Sequence, residues 1–461
     1  MAATPNKFIS VEPIEREPSS GISILVVGGG IAGLGFAIEA YRKGHDIRIV
    51  DRRPHFDEMT MVGDIIGIGN SVLPSMKHWP GFLEACYQAA FPQLAYYAYK
   101  YDGTYIGILG EILGMSRAEF HSSLHQYALH LGIPIRYAAK AVDYFETDTE
   151  GGVVLENGER LAADIVVAAD GIGSRSWRLV CGTKEEPISS SFAMYRTTFS
   201  VDLAMQNPLI AKAYTANDSR LYFGPGAHIV LGKTDKDIMW MLTHHDNGDS
   251  SEDWAKPANP KDALPFVEGW APWLSELIKL TPSDGVVDFK LMWRNPRETW
   301  VSPKARVIQI GDSAHTFLPT SASGATMALE DAFSLAALLH ISGKNNAPLA
   351  LRVQNKLRFE RVTCAQKMGF KNRENFHNTD WDAAAKNPDS VLKQVDNWVE
   401  QYDAEKYAYK MYEKCVNHIL TGSPFQNTNT PPGHTFKLWT VKELLELGER
   451  GAKIIDDGDW S

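Results

Sequence analysis

Three short glycine turns hold the residues whose types and spacing could do chemistry. The first is Gly28-Gly29-Gly30-Ile31-Ala32-Gly33, a G-x-G-x-x-G pattern between the apolar run ISILVV at 22–27 and the helix-patterned segment IAGLGFAIEAYRKG. In such a turn Gly28 allows the tight bend and Gly30 lets a pyrophosphate approach the backbone. Gly33 lets helix and strand pack closely. The pyrophosphate would sit on the free N–H groups and positive end of the helix dipole. Asp51 ends the next apolar run, IRIV, eighteen residues past Gly33, where a carboxylate can accept hydrogen bonds from a ribose. An acid there disfavours a 2′-phosphate, and NAD and FAD both fit.

The second turn is Ala169-Asp170-Gly171-Ile172-Gly173-Ser174-Arg175, and the third is Ile310-Gly311-Asp312-Ser313-Ala314-His315. Each follows a buried-strand run, ADIVVAADG and ARVIQIGDSAH respectively. An aspartate at a strand end can bind the hydroxyls of a ribityl chain or anchor the turn. Alone, either turn reads both ways.

The elements that must position these turns follow from periodicity. Continuous apolar runs of five or six residues read as strands buried on both faces of a parallel sheet. The unit at 22–50 is β-α-β, with Gly44 closing the helix. A helix is expected over 116–131, strands around 135–157, and a hairpin turn at ENGER, 156–160. Between about 185 and 300, alternating segments such as FAMYRTTFSV and IMWMLTHH predict an antiparallel sheet, with a helix near 263–280. A long helix should span 324–340, and the chain beyond 350 reads as largely helical, with one amphipathic helix from KLWTVKELLELGERG onward.

In order and spacing, the three turns resemble the class A flavoprotein monooxygenases, the family of para-hydroxybenzoate and salicylate hydroxylases. Residues 22–340 carry the resemblance, most specifically GDSAHTFLPTSASGATMALEDAF, and WVEQYDAEK at 398–406 is similar to the salicylate hydroxylase branch. The resemblance implies an α/β fold: a Rossmann-type FAD-binding domain over 21–184 and 295–345, interleaved with an antiparallel-sheet substrate domain over 185–294. A leader at 1–20 would be flexible, and 346–461 would form a C-terminal helical region.

The family pattern also implies residue roles. Asp51 takes the adenosine ribose, and Gly63 in VGDIIGIGN lies beside the flavin. Arg117 matches the arginine of an R-x-x-F-H helix that contacts FAD. Asp170 serves the flavin and the nicotinamide, with Arg175 or Arg178 on the pyrophosphate, and Asp312 holds the ribityl chain. Pro319 lies against the isoalloxazine, and Gly324-Ala325 open the helix beneath it. Ser321-Ala322-Ser323-Gly324 stands where Gly-Gln-Gly is frequent. FAD would be bound non-covalently, with NADPH or NADH as co-substrate.

Such an enzyme oxygenates a small aromatic substrate with O₂ through a flavin C4a-hydroperoxide. It needs water excluded and a donor where charge develops. Arg196 in FAMYRTTFS is expected as that catalytic donor. Tyr195, Tyr222 and Asp64 are weaker proton-donor candidates, and His315 reads as a structural turn residue. Trp240, Trp270, Trp273 and Trp293 could line an apolar pocket or fill the core.

The resemblance extends to fungal secondary-metabolite members, including indole-oxidising ones. With no acid-base partner evident for a phenol, it favours indole C2=C3 epoxidation with semipinacol rearrangement to a spiro-oxindole. Phenol hydroxylation or dearomatisation is the alternative, and a flavin dehydrogenase without oxygen insertion is a different class on the same fold. A simple nicotinamide dehydrogenase would leave the second and third turns unexplained.

A formal net charge of −10 gives no basic face for nucleic acid or an anionic membrane. Cys86, Cys181, Cys364 and Cys415 are scattered without CxxC spacing, so they read as free buried thiols in a reducing compartment rather than as metal ligands. The N-terminus lacks a signal-peptide core, and no run of about eighteen apolar residues spans a membrane. A cytoplasmic protein is expected, with no protein partner implied.

Overall fold

A computed structural model describes residues 7–8, 11–56, 65–91, 95–246, 248, 257–388, 392, 397–452, 454 and 457–460. Five strands form a parallel sheet in the order Val307–Gln309, Ile165–Ala168, Ser23–Val27, Asp46–Val50, Ile135–Arg136. Side-chain alternation along Ser23–Val27 divides the packing between its two faces. Ile24 and Val26 point into a core with the helices Ile31–Arg42 and Gly324–Ser342, while Leu25 and Val27 pack under an antiparallel meander, Ala141–Glu146, Gly151–Leu155 and Arg160–Ala163. Both faces are covered, which explains the unbroken apolar runs in the sequence.

A second, seven-stranded sheet runs Val287–Trp293, Ile188–Ser200, Asp237–His245, Ala227–Lys233, Ser219–Gly224, Ala95–Lys100, Tyr105–Glu111. The last two strands lie outside the 185–294 segment expected to build this sheet. They join through a parallel pairing of Ala95–Lys100 with Ser219–Gly224, a long-range contact that local alternation does not announce. One face of the sheet is filled by Ile229, Leu231, Trp240 and Leu242 against the helix Pro272–Leu280. The other face looks toward the parallel sheet.

Three local expectations change. The segment near 263–280 is two elements, a 3-10 stretch Pro260–Val267 and the helix Pro272–Leu280, because Gly269 turns at φ +77° and Pro272 starts afresh. The C-terminal helix is only Val441–Glu449, started by a Thr440–Glu443 capping box and followed by Gly451 at φ +63°. The leader, where described, is docked rather than loose: Phe8 is fully buried edge-on to Tyr127, and Arg16 donates to the carbonyls of Tyr41 and His45, each at 3.0 Å. Of the four thiols, Cys181 is half-buried and the others are buried. No described helix is long and apolar enough to cross a membrane.

Four charges are sealed between Gly324–Ser342 and the long helix Ala347–His377. Glu330 accepts from Arg358 at 2.5 Å and from Arg361 at 2.8 Å twice, and also from Ser71 Oγ at 2.8 Å. Asp331 accepts from Arg358 Nε at 2.8 Å with one oxygen. With the other it takes the Gly311 N–H at 3.1 Å and His315 Nε2 at 2.6 Å. All four charged side chains are at most 1% exposed. Breaking such a set strands a buried charge. Arg358→Met should therefore cost about 3–5 kcal/mol, read as a lower denaturant midpoint, whereas a change at the exposed pair Lys140–Glu156 should leave the midpoint unmoved.

Candidate active site

Both sheets close on one cavity of about 1470 Å³. An ordinary ligand pocket is roughly 300–1,000 Å³, so a dinucleotide and a second small molecule fit together.

The first glycine turn forms one end. Gly28 adopts φ +104°, and a Cβ there would meet the Ala169 carbonyl oxygen at 2.4 Å. A Cβ on Gly33, behind the turn, would lie 2.0 Å from the Gly28 oxygen, while Gly30 has open space on its Cβ side. No side chain caps the first turn of Ile31–Arg42, so its N–H groups are left for an anion. Asp51 accepts the Gly29 N–H at 2.6 Å and the Arg53 N–H and Nε at 2.8 and 2.9 Å. Burial would raise its pKa, but the hydrogen bonds from Arg53 and Gly29 outweigh burial and hold the carboxyl below its usual range. Asp51 is therefore an anionic acceptor at the cavity wall, as ribose binding requires.

His121, four residues after Arg117, was not singled out from the sequence. Its Nε2 donates to the Gly29 carbonyl at 2.7 Å, and burial pushes its pKa down to about 4. A neutral ring thus braces the turn from behind, and the histidine of the R-x-x-F-H pattern was its visible signal.

The second and third turns are stitched together. The Gly171 N–H donates to Ser313 Oγ at 2.9 Å, and that hydroxyl lies 3.4 Å from Asp170 Oδ1. Burial pushes the Asp170 carboxyl above the usual range. Asp312 opens onto the cavity but is walled by protein. That enclosure raises its pKa against the pull of Arg117, His315 and Arg294. Arg117, Arg175 and Arg178 all stand in the same wall. Pro319 begins a 3-10 turn, Pro319–Ser321, pinned where Thr320 Oγ1 donates to the Gly369 carbonyl at 2.9 Å. Ala322 then takes φ +50°, a conformation that favours glycine. Gly324 and Ala325 open the next helix at the cavity's edge, with a Cβ on Gly324 pressing Phe317 at 3.3 Å.

Gly28, Gly30, Asp51, Arg117, Asp170, Asp312, Pro319, Gly324 and Ala325 thus share one cavity, and Gly33 packs behind it. Gly63 and Asp64 lie outside the described residues. The uncapped helix start, the clash-limited glycines and the anionic Asp51 fit the pyrophosphate and ribose of FAD.

The far end is apolar, floored by Met194, Leu221, Val230, Met241 and Phe289 from the seven-stranded sheet. Arg196 is two residues past Met194 and paired with Met241, so it shares the cavity face of the sheet without forming the wall. Its guanidinium lies 5.3 Å from the Phe289 ring centre. Tyr195 and Tyr222 point to the opposite core with Trp240, Trp270 and Trp273, while Trp293 stacks on Phe370. None of these aromatics lines the cavity. Two groups missed in the sequence do: His228 with Thr243 beside it, and Asn397 together with Glu400 and Gln401 of the adjoining 398–406 segment.

Comparison with known proteins agrees with this geometry. Residues 111–353 match the family model described as an FAD binding domain, and residues 26–56 match an NAD(P)-binding Rossmann-like domain. FAD-dependent monooxygenase fsr3 of Gibberella fujikuroi is 36% identical over 97% of this chain and 91% of its own. Monooxygenase dmxR9 of Cryptosporiopsis is also 36% identical, over 98% and 92%. The chain belongs to the class A FAD-dependent monooxygenases.

Among solved structures, FqzB superimposes with TM-score 0.81 at 29% identity, over 91% of this chain and all of that one. CtdE, solved in complex with FAD and a substrate, gives 0.79 at 28%, over 86% and 99%. The monooxygenase shares its fold with a salicylate hydroxylase as well, at TM-score 0.70 and 20% identity.

Two outcomes follow for this FAD enzyme. Gly33→Ala should add about 1–3 kcal/mol of overpacking and give protein purified with less flavin, measured as the ratio of visible to ultraviolet absorbance. His121 and His125 are each pushed down to about 4 by burial. Their contribution to stability is complete above the ordinary histidine pKa of about 6.5 and falls as pH drops toward 4. The loss is about 1.4 kcal/mol per pH unit for each ring, and urea midpoints across that window read it.

Proposed function

We propose that this monooxygenase uses NADPH or NADH and O₂ to oxygenate a small aromatic molecule of fungal secondary metabolism, and that the substrate is a phenol. Bound FAD would supply the redox chemistry and the activation of oxygen. The chain supplies the rest. Asp51, Asp170 and Asp312 hold hydroxyls along the cofactor. The apolar floor seats a ring and keeps water from it. Arg196, half-buried beside Phe289 behind the floor, adds a fixed positive charge to the field at that end of the cavity.

The observation that carries the phenol reading is His228, a neutral imidazole in the wall of the apolar end. The case for an indole from sequence leaned in part on the lack of an acid-base partner, and His228 places a ring in the cavity wall to which a hydroxyl can hydrogen-bond. Indole C2=C3 epoxidation followed by rearrangement to a spiro-oxindole is the second reading. It is supported by a floor whose other members are mostly apolar. An indole without an ionising hydroxyl would need no such imidazole.

The test is NADPH and NADH oxidation by the FAD-loaded protein with phenols and with indole alkaloids, run with and without oxygen. Phenol-stimulated, oxygen-dependent turnover with a product heavier by one oxygen atom is expected. Stimulation by indoles alone would move the assignment to the second reading, and product formation without oxygen would make the enzyme a dehydrogenase. Arg196→Met should keep its flavin and lose about 10²- to 10³-fold in kcat; unchanged kcat would remove Arg196 from the chemistry.

A further inference from the structure

The cofactor accounts for three acids on the cavity wall, Asp51, Asp170 and Asp312, and leaves a fourth, Glu400. It ends a helical turn, Asn397–Glu400, that is fixed from behind: Arg361 donates to the carbonyls of Trp398 at 2.9 Å and Val399 at 3.1 Å. In front, the Asn70 N–H donates to Glu400 Oε2 at 2.9 Å, and the Asn70 side chain also donates to the carboxyl. The loop that carries Asn70 is tied in turn to the helix Gly324–Ser342. The Gly69 N–H meets Thr326 Oγ1 at 3.0 Å, and Ser71 Oγ meets Glu330 at 2.8 Å. A Cβ on Gly69 would press Glu400 Oε1 at 3.2 Å, so the glycine gives the carboxyl its room. Backbone on both sides, rather than a flexible ion pair, sets where this acid stands.

Its surroundings leave it short of positive charge. Among the described residues no lysine, arginine or histidine pairs with Glu400, and Arg361 behind it is already paired with Glu330. Burial lifts the carboxyl above its usual range and Glu330 adds repulsion, against the pull of Asn70 and Arg361. A carboxylate offers about four acceptor positions, so Asn70 does not exhaust it. The wall beside it is apolar, with Ile66, Gly67 and Ile112 in the cavity lining and a Cβ on Gly67 reaching Ile112 at 2.5 Å. Asn397 and Gln401 on either side are exposed and line the same cavity, which puts Glu400 where the chamber opens to solvent. A purely structural role would be to cap the 3-10 turn Asn70–Val72, which has no side-chain cap of its own. A neutral amide would cap it as well, and a half-buried acid is costlier there. The charge calls for a donor that the chain does not supply.

We propose that Glu400 is a specificity-determining residue: it accepts a hydrogen bond from a second hydroxyl of the substrate at the mouth of the cavity, and so selects aromatics that carry hydroxyls at both ends. One hydroxyl belongs to the ring on the apolar floor, beside His228, and the other to the end that faces Glu400. The contact is a hydrogen bond only, with no proton transferred. Glu400 orients the substrate in this scheme and takes no part in the chemistry. The assignment rests on the phenol reading and adds to it the need for a second donor.

The probes are 4,4′-dihydroxybiphenyl and its monomethyl ether, titrated into the FAD-loaded protein and followed by the change in the flavin spectrum. Wild type should bind the diol about 10- to 10²-fold more tightly than the ether, the worth of one hydrogen bond to a charged group. In Glu400→Gln the amide oxygen stays on the Asn70 N–H and the amide NH₂ turns to the ligand. Flavin content should hold, and the preference should vanish or invert toward the ether, whose methoxy oxygen can only accept. A residue that merely caps the turn would leave the preference as it was. Should Glu400→Gln lose its flavin, Glu400→Asp replaces it; drawing the charge back by one methylene should shrink the preference several-fold. Equal affinities for the two probes in wild type, or an unchanged preference in the variant, overturn the role of Glu400 and leave the phenol reading standing. No spectral change with either probe, together with no phenol-stimulated NAD(P)H oxidation, overturns both.

Discussion

The arrangement depends on two acids and two arginines buried where solvent cannot reach them. Glu330 and Asp331 stand side by side on the helix that begins at the flavin site, and Arg358 and Arg361 reach them from the long helix behind. One Asp331 oxygen ends on the backbone of Gly311 and the ring of His315, so the turn that presents Asp312 hangs from this cluster. Arg361 also donates to the carbonyls of Trp398, Val399 and Asn429, and Ser71 donates to Glu330. Desolvation makes each charge costly alone, and that cost forces the four groups into one geometry. Register between the two helices then fixes both ends of the cavity, since one helix opens at Gly324 and the other carries Phe376 and His377.

The two sheets divide the chemistry. Parallel strands end in turns, which place carboxylates and backbone N–H groups at one mouth, where a charged cofactor is solvated by fixed dipoles. The antiparallel sheet offers a face of alternate residues, and alternation lets a single strand serve core and cavity at once. Along Asp237–His245, Trp240 and Leu242 fill the core while Met241 and Thr243 line the cavity. A dry end against a polar end is what an oxygen-transferring flavin enzyme needs, because water near the reacting ring diverts the oxidant.

Much of the polar end was legible in the sequence, because backbone geometry leaves few residue choices there. Gly28 needs positive φ, Gly33 has a carbonyl oxygen where a Cβ would stand, and an acid must follow at the end of the next strand. The apolar end was not legible. Met194, Val230 and Met241 come from strands whose pairing is set by long-range register, and a methionine in a cavity reads the same as one in a core. Tyr195 and the tryptophans were plausible until the sheet showed which face they take. His228 sits in AHIVLGK, an ordinary strand by composition, and its partner is 149 residues away. Glu330 and Asp331 did carry a signal: two adjacent acids inside an otherwise apolar helix require buried cations elsewhere, and Arg358 and Arg361, three apart on one helical face, could answer it.

Dryness creates its own difficulty. A phenol that loses its proton inside an apolar chamber must send it somewhere, and a base that stayed charged there would carry a desolvation cost of several kcal/mol. A lone buried histidine solves this badly, since burial that excludes water also lowers its basicity. His228 is instead held by His377, whose Nε2 lies 2.8 Å from its Nδ1, and burial keeps both rings neutral, so this wall of the chamber stores no charge. The pair lies where the long helix, aligned by the buried charges, ends against the substrate sheet. Placing the turn that presents Asp312 and closing the substrate end with Phe376 are thus two consequences of the same helix register.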